Sequence, residues 1–324
     1  MIQLSKISFT YQNHFVFNSL DLQFETGISY LITGSNGVGK TTLLKLIAGQ
    51  IYPPKGSVKY DFINDQGSWD EKYELRKKHI HFIPTHALHE LISSPDLFYQ
   101  QRYYSIESTP LPTVREYLRE RIINVSPNLL PPTFQLNHLL DLELTQLSNG
   151  QVKKLVILKQ LLDAIPRYLL LDYPFEGLDV QSRIELRDFL DHLTTTFGVQ
   201  LIIADHEHPE LPKSLTKKCM LDSGEALISD FTIPESIRWH GAITYESIKN
   251  KTESIVEMQE LKIQYGDKVI LENLNWKINR GERWALTGRN GSGKTTLFSL
   301  ISQIDSPVPL RLPKRNTLSL YAIG

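Results

Sequence analysis

Two glycine-rich turns, each running into a lysine and a threonine, carry the plainest chemistry in this sequence. Gly34-Ser35-Asn36-Gly37-Val38-Gly39-Lys40-Thr41 and Gly288-Arg289-Asn290-Gly291-Ser292-Gly293-Lys294-Thr295 both fit the pattern G-x-x-x-x-G-K-[ST]. Glycines let successive backbone N–H groups converge on phosphate oxygens, and a following helix adds the positive end of its dipole. The lysine suits the β- and γ-phosphates of a nucleotide, and the threonine hydroxyl suits Mg²⁺. A glycine turn without a ligand is the plainer alternative. Two occurrences, each followed by a second threonine (Thr42 and Thr296), weigh against it.

The elements that must hold these turns can be read on either side of them. Gly27-Ile28-Ser29-Tyr30-Leu31-Ile32-Thr33 is an apolar run that predicts a buried strand, and a helix is expected from Lys40 to a stop at Gly49. The chain also repeats itself at an offset of 254 residues: Tyr11 falls on Tyr265, Leu20 on Leu274, Gly27 on Gly281 and Lys40-Thr41-Thr42 on Lys294-Thr295-Thr296. Further apolar strands are expected at Tyr168–Asp172 and Gln200–Ala204, with a helical stripe of Leu155, Val156, Leu158, Leu162 and Ile165 before them. Strands alternating with helices predict an α/β fold with a parallel sheet. Prolines 95, 110, 112, 127, 131 and 132 break the intervening stretch, which reads as a mainly helical insertion over about 85–150. Residues 1–235 then form one full unit, 236–255 a linker, and 256–324 the opening part of a second unit that ends early, with one short strand at Thr317–Tyr321.

Composition excludes several classes. The chain has 324 residues, 35 Lys+Arg against 36 Asp+Glu and 41% hydrophobic residues, ordinary values for a folded protein. Its net charge of −1 gives no general attraction for nucleic acid, which is not expected as a partner. Arg102, Tyr103 and Tyr104 read as a solvated face. Apolar runs are too short to insert in a membrane, and the single cysteine, Cys219, fits a reducing cytoplasm. His79 and His81, expected on one strand face, lack a ligand framework for zinc, as do His86, His89 and His208.

After the first glycine turn come Leu147-Ser148-Asn149-Gly150-Gln151, the apolar run ending in Asp172, then Glu176-Gly177-Leu178-Asp179, and His206 behind another apolar run. In order and spacing this set resembles the ATP-binding cassette (ABC) ATPases, with their LSGGQ signature, Walker B aspartate, D-loop and switch histidine. The second unit, with Trp276 and Gly281-Glu282-Arg283-Trp284, is similar to the tandem-cassette group of ModF and the photorepair proteins. The resemblance implies a P-loop NTPase fold of the ABC type with a helical subdomain, ATP and Mg²⁺ as cofactors, and a second cassette as partner, in the same chain or in a homodimer. Tyr11 and Tyr265 would stack on adenine, unless they are merely strand tyrosines at matching positions. Residues 34–42 and Gly288, Asn290, Gly291, Gly293, Lys294, Thr295 and Thr296 would hold phosphates, with Thr41, Asp172 and Thr295 on Mg²⁺. Ser148, Gly150 and Gln151 would face the γ-phosphate of a partner; on residue type alone they could equally be a plain helix cap. Asp179 would line the same interface, and His206 would reach the γ-phosphate.

Two departures from the family pattern bear on activity. Tyr173 stands where the family carries the glutamate that polarises the attacking water, and a phenol with a reference pKa near 10 is a poor base at neutral pH. Slow hydrolysis is therefore expected. After Ile80-His81-Phe82-Ile83-Pro84 the family glutamine that binds metal and senses a membrane subunit is replaced by Thr85-His86, which weakens the case for a transporter partner. Two uses remain open: an ATP-binding subunit coupled to a membrane transporter, peripheral at its inner face, or a cytoplasmic ATP-dependent regulator. The second unit brings no counterpart of Asp172, Ser148 or His206 within this sequence, so an ATP-dependent dimer is expected to form between chains.

Overall fold

In a computed structural model the described residues are 1–11, 14–64, 66–85, 87, 112–118, 129–131, 134, 136–235, 254–265, 268–282, 284–288 and 292–302. The chain divides into two units, Met1–Ile237 and Arg238–Gly324. Unit one runs β1 (Ile2–Tyr11), β2 (His14–Phe24), β3 (Ser29–Thr33), α1 (Lys40–Ala48), β4 (Lys55–Tyr60), α2 (Trp69–His79), β5 (Ile80–Ile83), α3 (Val114–Leu118), α4 (Asn149–Leu161), β6 (Tyr168–Asp172), α5 (Val180–Phe197), β7 (Gln200–Ala204), β8 (Leu215–Asp222) and β9 (Glu225–Asp230).

Six of these strands form one sheet in the order β5-β6-β7-β3-β8-β9. Neighbours from β5 to β8 are parallel, and β9 closes the edge as an antiparallel hairpin with β8. Every residue of β3, β6 and β7 is buried, which is why these strands read as unbroken apolar runs. Alternate side chains enter different cores. Leu31, Leu169, Leu171, Leu201 and Ile203 pack with Leu155 and Leu158 of α4 and with Leu186 and Phe189 of α5. Tyr30, Ile32, Tyr168, Leu170 and Ile202 pack on the other face with Leu43, Leu44 and Ile47 of α1. Each fully buried leucine or isoleucine contributes about 1.5–3 kcal/mol.

A second sheet, antiparallel in the order β2-β1-β4, covers α1 and adds Ile2, Leu4, Phe17 and Phe24 to that second core. The sequence reading did not foresee it. Register shifts between Leu4, Ile7 and Phe9, with Lys6 and Ser19 at positive φ (49° and 61°), break the two-residue alternation that would have marked β1 and β2. The helix after the first glycine turn spans Lys40–Ala48, and Gly49 at φ 66° ends it, its N–H on Leu46 O. His79 and His81 do not share a strand face: a capping box of Ser68 and Glu71 starts α2, and His79 is its last residue, before β5 begins at Ile80. Of the stretch around 85–150, α3 and two 3-10 turns, Leu136–His138 and Leu144–Gln146, are described. Because α4 ends at Leu161, Ile165, expected on its apolar stripe, lies beyond the helix and is exposed.

In unit two, β10 (Ser254–Tyr265) and β11 (Lys268–Asn279) form an antiparallel pair, followed by α6 (Lys294–Ser302). Val256, Met258, Leu261, Ile263, Ile278 and Leu297 make its core. Because β10 starts at Ser254, it takes in the last residues of the expected linker. The expected strand at Thr317–Tyr321 lies outside the described residues.

Candidate nucleotide site

The first glycine turn leaves the end of β3 and wraps the side chain of Lys40. That lysine is 3% exposed, and its Nζ donates to Gly34 O at 2.6 Å and Ser35 O at 2.8 Å. Burial pulls its pKa down, opposed by the Asp172 and Asp205 carboxylates. Gly39, at φ 110°, precedes α1 without a side-chain cap, leaving the first helical N–H groups to the loop. A β-carbon at Gly39 would stand 2.5 Å from Val16 Cγ1, so both backbone angle and space require glycine there.

Strand β6 brings Asp172 to this helix start. Thr41 Oγ1 lies 3.0 Å from both Asp172 carboxylate oxygens, and Thr85 Oγ1 lies 3.0 Å from Oδ2 and from the Asp172 carbonyl oxygen. Burial raises the Asp172 pKa, and the Thr41 and Thr85 hydroxyls counter it. A carboxylate with hydroxyls around it is an all-oxygen set, which suits a hard cation such as Mg²⁺. The residues present therefore fit a magnesium nucleotide.

Tyr173 follows at φ 50°, a rare conformation for a bulky side chain, costing of order 1–3 kcal/mol. Its N–H donates to Ala204 O at 2.8 Å. Its ring lies 5.6 Å from the His206 ring and 5.5 Å from Lys40 Nζ. Burial, then the Asp172, Asp205 and Glu176 carboxylates, push the phenol pKa up, so the hydroxyl is neutral at ordinary pH. Lys40, Thr41, Asp172, Tyr173 and His206 thus come together at the ends of β3, β6 and β7.

The start of α4 forms a second group. Ser148 is its N-cap: Ser148 Oγ accepts the Gln151 N–H at 3.2 Å, and Gln151 Oε1 accepts the Ser148 N–H at 2.8 Å. At Gly150 a β-carbon would fall 2.8 Å from Ser182 Cβ, so this glycine lets α4 approach the start of α5, which Asp179 caps through the Ser182 N–H at 2.8 Å. Tyr11 ends β1, 46% exposed, with its ring edge-on to Phe9 at 5.0 Å. In unit two, Lys294 Nζ donates to Gly288 O at 2.7 Å, and Thr295 and Thr296 begin α6 behind Gly293 at φ 88°. Asn290, Gly291, His86, His89 and residues 102–104 lie outside the described residues, as does the side chain of Tyr265.

The profile of the ABC transporter family matches residues 17–176 and 271–312, more than half of the chain. The chain belongs to the ABC transporter family. It is 26% identical over 302 residues to an uncharacterized ABC transporter ATP-binding protein of Schizosaccharomyces pombe, covering 88% of this chain and 60% of that one. It is 28% identical over 306 residues to the ABC transporter ATP-binding protein ModF of Escherichia coli, covering 87% and 58%. The chain therefore spans about three fifths of the length of these relatives. Among solved structures, a dimeric ATP-binding cassette in a post-hydrolysis state with ADP and Pi superposes with a TM-score of 0.51 at 22% identity, covering 71% of this chain and 98% of that one. That likeness shows the ABC cassette fold. ABC cassettes in general bind ATP with Mg²⁺ and work as dimers.

Within this ABC fold, three polar residues escaped the sequence reading. Thr85, noted there only as a missing glutamine, bonds directly to Asp172. Asp205, 4% exposed, accepts the His206 N–H at 2.8 Å and the Phe175 N–H at 3.2 Å, and burial raises its pKa. Lys153, 9% exposed, reaches the turn after β6 from α4. Asp205 could have been found as a carboxylate at the end of a buried strand, next to His206.

Proposed function

We propose that this chain binds MgATP at its phosphate loops and couples binding and hydrolysis to the association of cassettes, as an ABC ATPase of the ModF-like tandem kind. The observation that supports the reading is the convergence of Lys40, Thr41 and Asp172. In it, Lys40 exchanges the Gly34 and Ser35 carbonyls for phosphate oxygens, which gives a buried ammonium charged acceptors. The backbone N–H groups around Gly39 and the start of α1 hold the remaining phosphate oxygens. Thr41 and Asp172 hold the metal, with Thr85 fixing the Asp172 carboxylate. Bound Mg²⁺ supplies neutralisation of charge on the β- and γ-phosphates. Tyr11 offers a half-exposed ring for adenine.

Under the same reading, residues 1–235 are the full cassette and 256–324 the first part of another. Ser148, Gly150 and Gln151 present the α4 N-terminus to a partner's nucleotide, and Asp179 lies beside them. Tyr173 orients a water through a neutral hydroxyl and lacks the basicity of a carboxylate. Loss of a general base lowers the rate by roughly 10²–10⁴-fold, so hydrolysis at this site is slow. A second use, a cytoplasmic regulator that closes on ATP, is favoured by Tyr173. The name of the ModF relative favours an ATP-binding subunit for a membrane transporter. Among the described residues no helix is long and apolar enough to cross a membrane.

ATP binding and turnover on a single preparation test this. Mg²⁺-dependent binding with slow turnover is the expected result. A chain that does not bind ATP at millimolar concentration would overturn it.

A further inference from the structure

Two buried charges beside the site have no part in the function just described. Lys153 lies on the second turn of α4, and its ammonium meets three carbonyls of one short turn: Glu176 O at 2.6 Å, Pro174 O at 2.8 Å and Tyr173 O at 3.4 Å. An ammonium has three hydrogens and no acceptor, so these three oxygens use it up. From the other side, Asp205 Oδ2 takes the Phe175 N–H of the same turn while Oδ1 takes the His206 N–H. One turn is thus held through its carbonyls by the Lys153 ammonium of α4 and through the Phe175 N–H by the Asp205 carboxylate just after β7. Burial lowers the Lys153 pKa to about 8, against the pull of Asp205 and Glu176. A cation is kept in such surroundings only where hydrogen bonds offset its lost hydration. The adjacent Lys154 is used differently: its Nζ pairs with Glu185 Oε2 at 2.7 Å and lies 5.2 Å from the Phe134 ring centroid, which ties α4 to α5.

We propose that Lys153 is a positioning residue that makes the start of α4, the Tyr173–Glu176 turn and, through Asp205, His206 move as one piece. A displacement of α4 by whatever faces Ser148 is then felt at the phosphate end of the chain's own site. This use of the linkage rests on the ATP reading above; the linkage itself does not.

Backbone hydrogen exchange on the nucleotide-free protein tests the linkage, comparing the unaltered chain with Lys153→Met and Lys154→Met. Exchange at the Phe175 and His206 amides is expected to speed up about tenfold or more in Lys153→Met and to stay unchanged in Lys154→Met. With MgATP, Lys153→Met should keep its ATP Kd within about twofold and lose about tenfold in kcat. Lys153→Gln, which keeps amide donors, should give intermediate exchange and serves if the methionine variant does not fold. Unchanged exchange at those two amides, equal acceleration in Lys154→Met, or an unaffected kcat would each overturn the proposal. Absence of ATP binding by the unaltered chain would instead sink the ATP reading, since the exchange comparison is made without nucleotide.

Discussion

The two phosphate loops share a motif and differ in what holds them. Around the first, Tyr30, Leu31 and Ile32 are fully buried in a strand paired on both sides, by β7 and β8. Their counterparts Trp284, Ala285 and Leu286 form no strand among the described residues; Leu286 is partly buried, and Trp284 and Ala285 are exposed. Local features survive the difference. Both lysines turn back onto the first glycine carbonyl of their loop, and both helices start after a glycine at positive φ. The lesson is that glycine spacing and the lysine set the loop, whereas a central parallel strand exists only where neighbours satisfy its backbone groups. The metal side differs as well: the first loop has Asp172 and Thr85 at hand.

The sharpest way to break this comparison is to remove each lysine in turn. Lys40→Ala should abolish ATP binding at unit one, while Lys294→Ala should leave most of the binding intact in equilibrium titrations; equal losses would put the two loops on the same footing. Next in size, Tyr173→Glu should raise turnover by roughly 10²–10⁴-fold in steady-state assays, because on the proposed reading it returns a general base beside Asp172 and His206. No change would mean that another residue positions the water. Ile32→Ala should cost about 2–5 kcal/mol in denaturant unfolding, and Leu286→Ala much less, since only the first opens a cavity in a dense core. The smallest effect concerns Cys219, which pairs with Ile32 and whose thiol burial pushes up to about 12. Alkylation at pH 8 should be negligible in the native protein and should slow further with MgATP, reporting on the sheet of unit one alone.

Much of the site was legible because its residue types are tied to fixed spacings. Lys40, Thr41, Asp172 and His206 announce themselves by position after a turn or at the end of an apolar run, and the strands that carry them are buried on both faces. Other parts were hidden for identifiable reasons. The β1–β2 pair bulges, which scrambles its alternation. Lys153 sits on a helix that is buried almost all round, so a stripe of period 3.6 understated its burial and passed over a lysine facing inward. Thr85 was read as an absence because its value lies in the reach of one hydroxyl to Asp172, a distance that sequence does not carry. Gly150 matched a signature, yet its nearest contact is Ser182, a helix approach that no motif states.

The strand before the first loop sends Leu31 into one core and Tyr30 and Ile32 into the other. A strand set in such a wall has no melting temperature of its own. Its amides open only when both layers open, so the mount of the phosphate cradle inherits the cooperativity of the sheet, and a substitution deep in either layer reaches that mount without touching a single residue of the loop.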